Sequence, residues 1–316
     1  MLRTRRLEPL DHYTAAAESA SARIIAAYST SFGLATRLLG RRHRRHIRNI
    51  YALVRVADEL VDGVAAEAGL GPAEQRRELD DLEVETELAM RTGYSANPIV
   101  HAFARTAGGA AIDAALTRPF FASMRMDLPP DPDARGARPE QALTRTRAFG
   151  PDEHAAYVHG SAEVVGIMCL RVFMRDEAVG PETVRRLEHG ARQLGAAFQN
   201  VNFLRDIGDD TERLGRAYLG GEVEMTPQLQ QRWVDTIRGQ LADAEAVLPL
   251  LPRDARGAVG CALRLFERLT ERIARTPAPA LRRGRVRVSN PVKAWLAVRS
   301  MLASPASLPS RKADIG

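Results

Sequence analysis

The stretch from Arg44 to Val64 carries Ile47, Ile50, Tyr51, Val54, Ala57 and Val61 at intervals of three and four residues. That spacing follows the 3.6-residue turn of an α-helix and puts all six side chains on one face. The pattern recurs along the chain and is what most restricts its fold. Helices are predicted over Thr14–Tyr28, Arg44–Val64, Pro72–Met90, Pro98–Ala107, Arg118–Arg125, Pro151–Arg175, Pro181–Asp210, Thr226–Leu250 and Pro252–Arg275. Another helical run follows a break at Ser29-Thr30-Ser31, and Asn290 caps a last helix opening at Pro291. Aromatic residues make up only 5% of the chain and β-branched runs are scarce, so little material for a sheet is present. Ala, Leu, Arg and Glu dominate, and all four favour helix.

The fold class expected is therefore all-α, a single bundle of roughly ten helices. Residues 1–12 are read as a flexible arm, 13–302 as one domain and 303–316 as a disordered tail. The proline-rich segment Pro129–Arg138 is read as a loop. There is no βαβ alternation, no glycine-rich phosphate loop and no internal period of a solenoid.

The net charge of +6 and pI of 9.8 favour an anionic partner. Nearly all the positive charge is Arg, with Lys only at Lys293 and Lys312, so most of it is read as solvated surface. Cys169 and Cys261 lack metal-ligand spacing and are read as buried thiols of a reducing cytoplasm. Arg3, Arg5 and Arg6 are followed by no apolar run, so a signal peptide is not expected, nor is a membrane-spanning helix. The run Arg41-Arg42-His43-Arg44-Arg45-His46 is a candidate contact with the inner face of a membrane. A nucleic-acid role for it is disfavoured, because no recognised motif accompanies it.

Two acidic clusters carry the chemistry. Asp58 and Asp62 are four residues apart, as are Asp206 and Asp210, so each pair projects from one helical face. Like charges at that spacing are unfavourable unless neutralised. Two such pairs facing each other would make an oxygen-rich site for Mg²⁺, which binds through a few carboxylates together with substrate phosphates. Arg55 precedes the first pair, and Gln199, Asn202 and Arg205 precede the second, with Arg216 and Tyr218 following. Basic and amide groups beside carboxylate pairs suit a cradle for metal and diphosphate.

These residues resemble a known family. Tyr28-Ser29-Thr30-Ser31-Phe32 and Tyr51-Ala52-Leu53-Val54-Arg55-Val56-Ala57-Asp58-Glu59-Leu60-Val61-Asp62 are similar to the first signature of the squalene and phytoene synthases. Gln199-Asn200-Val201-Asn202-Phe203-Leu204-Arg205-Asp206-Ile207-Gly208-Asp209-Asp210, followed by Gly215 to Leu219, resembles the second. Met124 to Leu128, Tyr157 with Val164-Val165-Gly166, and Arg285 to Ser289 with Lys293 resemble further family segments.

The resemblance implies an isoprenoid synthase-type bundle with a central cavity. It implies head-to-head condensation of two geranylgeranyl diphosphates to phytoene through a cyclopropylcarbinyl diphosphate. By carry-over, Asp58, Asp62, Asp206 and Asp210, with Asn202, hold Mg²⁺, with Mn²⁺ as the alternative metal. Arg55, Gln199, Asn202, Arg205, Arg216, Tyr218 and Arg285 contact diphosphate or its metals. Ser31, Phe32, Tyr51 and Tyr157 line the reaction centre.

Thr36, Ser161, Val165 and Gly166 are read as small residues that leave room for a long tail, which favours the twenty-carbon substrate. The alternatives are a thirty-carbon product from farnesyl diphosphate and a non-catalytic assembly factor. The latter would be expected to lose the aspartates. No dinucleotide fingerprint is seen, so NADPH is not expected. Glu163 departs from the family's usual glycine and would narrow the cavity or place a charge in it.

Overall fold

The computed structural model describes residues 8–28, 30–129, 147–212, 216–217 and 225–281; for residues 30–32, 34, 147–148, 208–212 and 216–217 it describes the backbone alone. The expected cap at Asn290, the tail from 303 and Lys293 lie outside the described residues.

The elements in order are α1 (Pro9–Tyr28), α2 (Thr30–Leu38), α3 (Arg41–Val61), α4 (Val64–Glu67), α5 (Pro72–Thr92), α6 (Pro98–Ala110) and α7 (Ala114–Met126). Then come β1 (Arg147–Ala148), α8 (Pro151–Val158), a π-helical turn (His159–Glu163), α9 (Val164–Met174) and α10 (Pro181–Glu212). The chain continues through β2 (Arg216–Ala217), α11 (Pro227–Val247), a 3₁₀ turn (Leu248–Leu250), α12 (Arg253–Arg275) and α13 (Ala278–Leu281). The fold is all-α. Its two strands are a two-residue parallel bridge that pairs Arg147 with Arg216 and Ala148 with Ala217.

Local chemistry sets where these helices start. The side chains of Asn97, Asp113 and Thr226 accept hydrogen bonds from the backbone N–H groups of Ile99, Ala115 and Leu229 at 3.1, 2.9 and 3.1 Å, capping α6, α7 and α11. Glu74 and Glu153 reach back to the N–H groups of Gly71 and Gly150 and hold the first turns of α5 and α8.

The observed ends differ from the sequence reading at several helices, and at three points the cause is plain. The first helix begins at Pro9, inside the stretch read as an arm, and Tyr13 ties it down by donating to the Ala96 carbonyl at 2.8 Å. Helix α3 starts at Arg41 and stops at Val61, with Asp62 as its C-cap, because Gly63 turns left-handed at φ +114°. The segment 151–175 is three pieces rather than one helix, with the π turn between α8 and α9. Gly160 in that turn presses on α7, where an added Cβ would stand 2.2 Å from the Pro119 carbonyl oxygen.

Two apolar clusters make up the interior. One is centred on Phe103, Phe120, Phe121, Ile50, Leu53 and Leu79 of α3, α5, α6 and α7, and α9 packs against it. The other, around Phe203, Leu204, Ile237 and Phe266, joins α10, α11 and α12. Pro151–Met174 is long and apolar enough by composition to cross a membrane, yet here it is a core segment, with Val164, Ile167, Met168 and Val172 buried.

Candidate active site

Helices α3 and α10 rise from a common floor. The floor is the turn from α11 into α12. At its α12 side, Arg42 donates to Asp254 Oδ2 at 2.7 Å, His43 Nε2 lies 3.2 Å from Asp254 Oδ1, and the Gly40 N–H donates to the Asp254 carbonyl at 2.8 Å. The Arg42 guanidinium holds the Asp254 carboxyl down at about 2. At its α11 side, Gly190 of α10 sits so close to Val247 that an added Cβ would stand 2.1 Å from a Val247 methyl.

From these two anchors each helix continues toward its acidic motif. Asp58 lies sixteen residues beyond Arg42, and Asp206 lies sixteen beyond Gly190. At the α-helical rise each lies about 24 Å along its own helix from its anchor. Each acidic motif thus lies the same distance along its helix from its anchor.

Between the two helices lies a cavity of about 280 Å³, also walled by α2, α9, α11 and α12. On α3 its lining runs through Ile47, Ile50, Tyr51 and Val54, and Asp58 continues that stripe one turn higher. On α10 it runs through Leu187, Leu194, Phe198, Gln199 and Asn202, and Asp206 continues it in the same way. The wall is overwhelmingly apolar below and turns polar at Gln199 and Asn202. Cys169 is part of that wall, and burial pushes its thiol up to about 12, so it stays protonated.

Each acidic motif carries its own arginine. Arg55 donates to Asp58 Oδ2 at 3.1 Å and to Glu59, and its guanidinium lies over the Tyr28 ring at 4.6 Å. Arg205 grips both oxygens of Asp206, at 3.0 and 2.7 Å. Asn200 points to the opposite face of α10, between His154 and Gln240, so the amide on the cavity side is Asn202.

Of the residues singled out from sequence, Tyr51, Gln199, Asn202, Thr36, Ser161, Val165 and Gly166 all line the cavity. Tyr157 does not. It is buried in the second apolar cluster and donates to Asp127 Oδ2 at 2.7 Å, packed against Phe149 and Phe203. The cause is the π turn. That turn, which takes in Ser161, separates Tyr157 on α8 from the α9 residues of the wall.

Glu163 is also turned away from the cavity lining, pairing with His159 Nδ1 at 3.0 Å and facing Arg192 at 3.7 Å. The side chains of Ser31, Phe32, Asp210 and Arg216 lie outside the described residues, as do Tyr218 and Arg285 entirely. In the basic run, Arg42 is bound by Asp176, Glu177 and Asp254, and Arg44 donates to the Arg37 and Leu39 carbonyls, so much of that charge is used internally.

Sequence reasoning missed the deep lining, notably Leu170, Phe173, Leu187, Phe198 and Leu251. For Leu187 and Phe198 the signal was the downward continuation of the α10 stripe that carries Asp206; for Leu170, Phe173 and Leu251 no local signal marked them.

Among the described residues no three acidic, histidine or cysteine side chains gather as a ready metal cluster. The donors at the polar end are nonetheless of one chemical kind. Asp58, Asp62 and Asp206 with Asn202 offer oxygen alone, as a hard divalent cation requires, and they leave positions for water and phosphate. These residues fit Mg²⁺.

The family model for squalene/phytoene synthase matches residues 25–291. The chain belongs to the squalene/phytoene synthase family. The match spans both acidic motifs and all the cavity walls. The chain is 32% identical to a maize protein called phytoene synthase 3, chloroplastic, over 77% of this chain and 55% of that protein. It is 29% identical to the phytoene synthase of Arthrospira platensis, over 80% and 82% respectively. So it spans about half the length of the maize relative and most of the cyanobacterial one. Among solved structures, a dehydrosqualene synthase in complex with ligand superposes with a TM-score of 0.68 at 20% identity, covering 94% of this chain and 99% of that one. That likeness speaks for the shared fold.

Proposed function

We propose that this family member condenses two geranylgeranyl diphosphates head to head, forming phytoene and releasing two diphosphates. The observation that carries the reading is one apolar cavity whose lining stripes on α3 and α10 lead toward Asp58 and Asp206, each one turn past the last lining residue of its helix. The names of the maize and cyanobacterial relatives support it.

When bound, Mg²⁺ supplies the positive charge that makes diphosphate a leaving group. Asp58, Asp62, Asp206 and Asn202, with Asp210, are the residues to hold it. Arg55 and Arg205 orient the carboxylates beside them and offer their remaining N–H groups to diphosphate oxygens.

The first substrate loses diphosphate to give an allylic cation. The double bond of the second attacks it, and loss of a proton closes the cyclopropane ring. The second diphosphate then leaves, the carbon skeleton rearranges, and loss of another proton gives the linear product. Below the charged rim the apolar wall excludes water from these cations. Tyr51, in the wall two turns below Asp58, is an aromatic placed to face them. Thr36, 3% exposed and set in the wall, adds little bulk where a tail must pass.

The test is a product assay with Mg²⁺ and either geranylgeranyl or farnesyl diphosphate, with extracts read by mass spectrometry. Phytoene from the twenty-carbon substrate, lost in Asp58→Ala and Asp206→Ala, is expected. A thirty-carbon product alone would move the substrate and keep the mechanism. No product from either, with folded protein and metal present, would overturn catalysis.

A further inference from the structure

A second cavity, of about 350 Å³, lies beside the first, between the end of α6, the end of α9 and the start of α10. Leu170 of α9 and Leu187 of α10 line both cavities. Both leucines are buried, at 6% and 2% exposure, so they form a closed wall rather than a mobile edge. On the far side of that wall the space is bordered by Gly108, Gly109, Met174 and Val184. An added Cβ at either glycine would meet nothing within 4 Å. The outer border carries the Arg171–Glu188 pair at 3.2 Å, with Arg171 45% exposed, where the second cavity meets solvent.

We propose that Leu170 and Leu187 are the end-stop for the longest prenyl tail, and that the space behind them is a latent subsite for one further isoprene unit. The inference rests on reading the central cavity as the tail site.

Its support is the position of the wall. Leu187 is the lining residue of α10 farthest from Asp206, at the end opposite the charged rim. Asn202, where the wall turns polar, lies fifteen residues beyond Leu187, or about 22 Å along the helix axis. An extended carbon chain advances about 1.2 Å per bond, as a polypeptide backbone does, so a twenty-carbon prenyl chain measures about 18 Å and a twenty-five-carbon one about 23 Å. The first stops short of the leucines. The second, with its terminal methyl groups, runs into them. Beyond them Gly108, Gly109, Met174 and Val184 give the space an apolar side, and Arg171, Arg175, Glu177 and Glu188 complete its border.

The test uses the full chain with Mg²⁺ and non-ionising thiolodiphosphates carrying fifteen-, twenty- and twenty-five-carbon tails, titrated calorimetrically. The wild type should bind the twenty-five-carbon probe about tenfold or more weaker than the twenty-carbon one, as expected when one unit too many meets a closed pocket. Leu187→Ala should bring the two within about threefold by joining the cavities. Adding Gly109→Leu to that variant should refill the space from the α6 side and restore the discrimination, which a general loosening of the core would not do. If Leu187→Ala does not fold, the Leu170→Val/Leu187→Val pair serves in its place.

Equal binding of the two longer probes by the wild type overturns the end-stop. So does unchanged discrimination in a folded variant. Binding of none of the three probes overturns the tail reading itself, and the inference with it.

Discussion

Gly166 of α9 lies directly on the main chain of Ala191 in α10: a Cβ added at Gly166 would stand 2.4 Å from the Ala191 carbonyl oxygen. One turn along, the relationship is reversed, with Gly195 of α10 against the Ala162 carbonyl at 2.5 Å. Backbone meets backbone at both points, so neither neighbour can swing aside. Gly166 was read from sequence as a residue that leaves room for a tail. It does line the cavity, but this close helix contact also requires glycine there. Gly195→Ala should therefore cost about 1–3 kcal/mol through overpacking. Gly109→Ala, in open space on α6, should gain about 0.5–1 kcal/mol through helix propensity. Thermal unfolding followed by circular dichroism should move in opposite directions for the two. A Gly195→Ala protein as stable as the wild type would refute the close contact.

Tyr157 should act through stability more than through contact with substrate. Its hydroxyl donates to Asp127, which is 6% exposed. Tyr157→Phe removes that donor from a buried carboxylate, and a loss of about 1–3 kcal/mol is expected in urea unfolding. Selectivity between farnesyl and geranylgeranyl substrates should stay as in the wild type, since the ring is not part of the cavity wall. A change in chain-length preference with unchanged stability would contradict this placement.

His46 makes the fold acid-sensitive. Burial, then the positive charges of Arg175 and Arg45, bring its pKa from 6.5 to about 4, with Asp176 opposing. Arg45 Nε donates to His46 Nε2 at 3.2 Å, so the neutral ring carries its proton on Nδ1 and gives it to the Thr106 hydroxyl at 3.0 Å. Between pH 6.5 and about 4 the unfolded chain binds a proton that the folded chain does not. This contribution is complete above pH 6.5 and falls away as the pH drops toward 4. His46→Asn keeps an N–H donor and removes the titration, so urea midpoints at pH 7.5 and 5 should lie closer together in the variant. Equal pH slopes in the two proteins would rule the histidine out.

Arg55→Lys separates binding from folding. The guanidinium fork serves Asp58 and Glu59 together from a partly exposed position, 27% open, where such pairs add only about 0–1 kcal/mol. A lysine keeps the charge and loses the fork. The melting temperature should hardly move, whereas KM for the allylic diphosphate should rise about tenfold, the scale of one lost charge-assisted hydrogen bond. In the same assay a chelator should stop turnover and added Mg²⁺ should restore it. Full activity in the metal-stripped protein would remove the metal from the mechanism.

Helix after helix was legible because amphipathic periodicity is local: the stripe Ile47, Ile50, Tyr51, Val54 needs no knowledge of any other segment. The carboxylates were legible for the same reason, since a four-residue spacing places two side chains on one face wherever the helix sits. Where α3 stops was less so, because the left-handed turn at Gly63 makes Asp62 a cap rather than a helical residue. The π turn leaves no mark on composition, and it is what turned Tyr157 out of the cavity. Glu163 looked like a charge inside the cavity until His159 and Arg192 were seen to hold it on another side.

The sequence by itself determined the all-helical class, the faces that bear Asp58, Asp62, Asp206 and Asp210, and the family they belong to. It could not determine that the stripes below them wall one cavity. Asp58 and Asp206 belong to segments well over a hundred residues apart, and the cavity between those segments depends on Asp254 and Val247 holding α3 and α10 against the turn from α11 into α12. The wall of Leu170 and Leu187 is likewise a product of packing, because a leucine on an apolar stripe looks the same whether it fills a core or closes a cavity. Periodicity assigns a side chain to a face; only the contacts between helices decide what that face encloses.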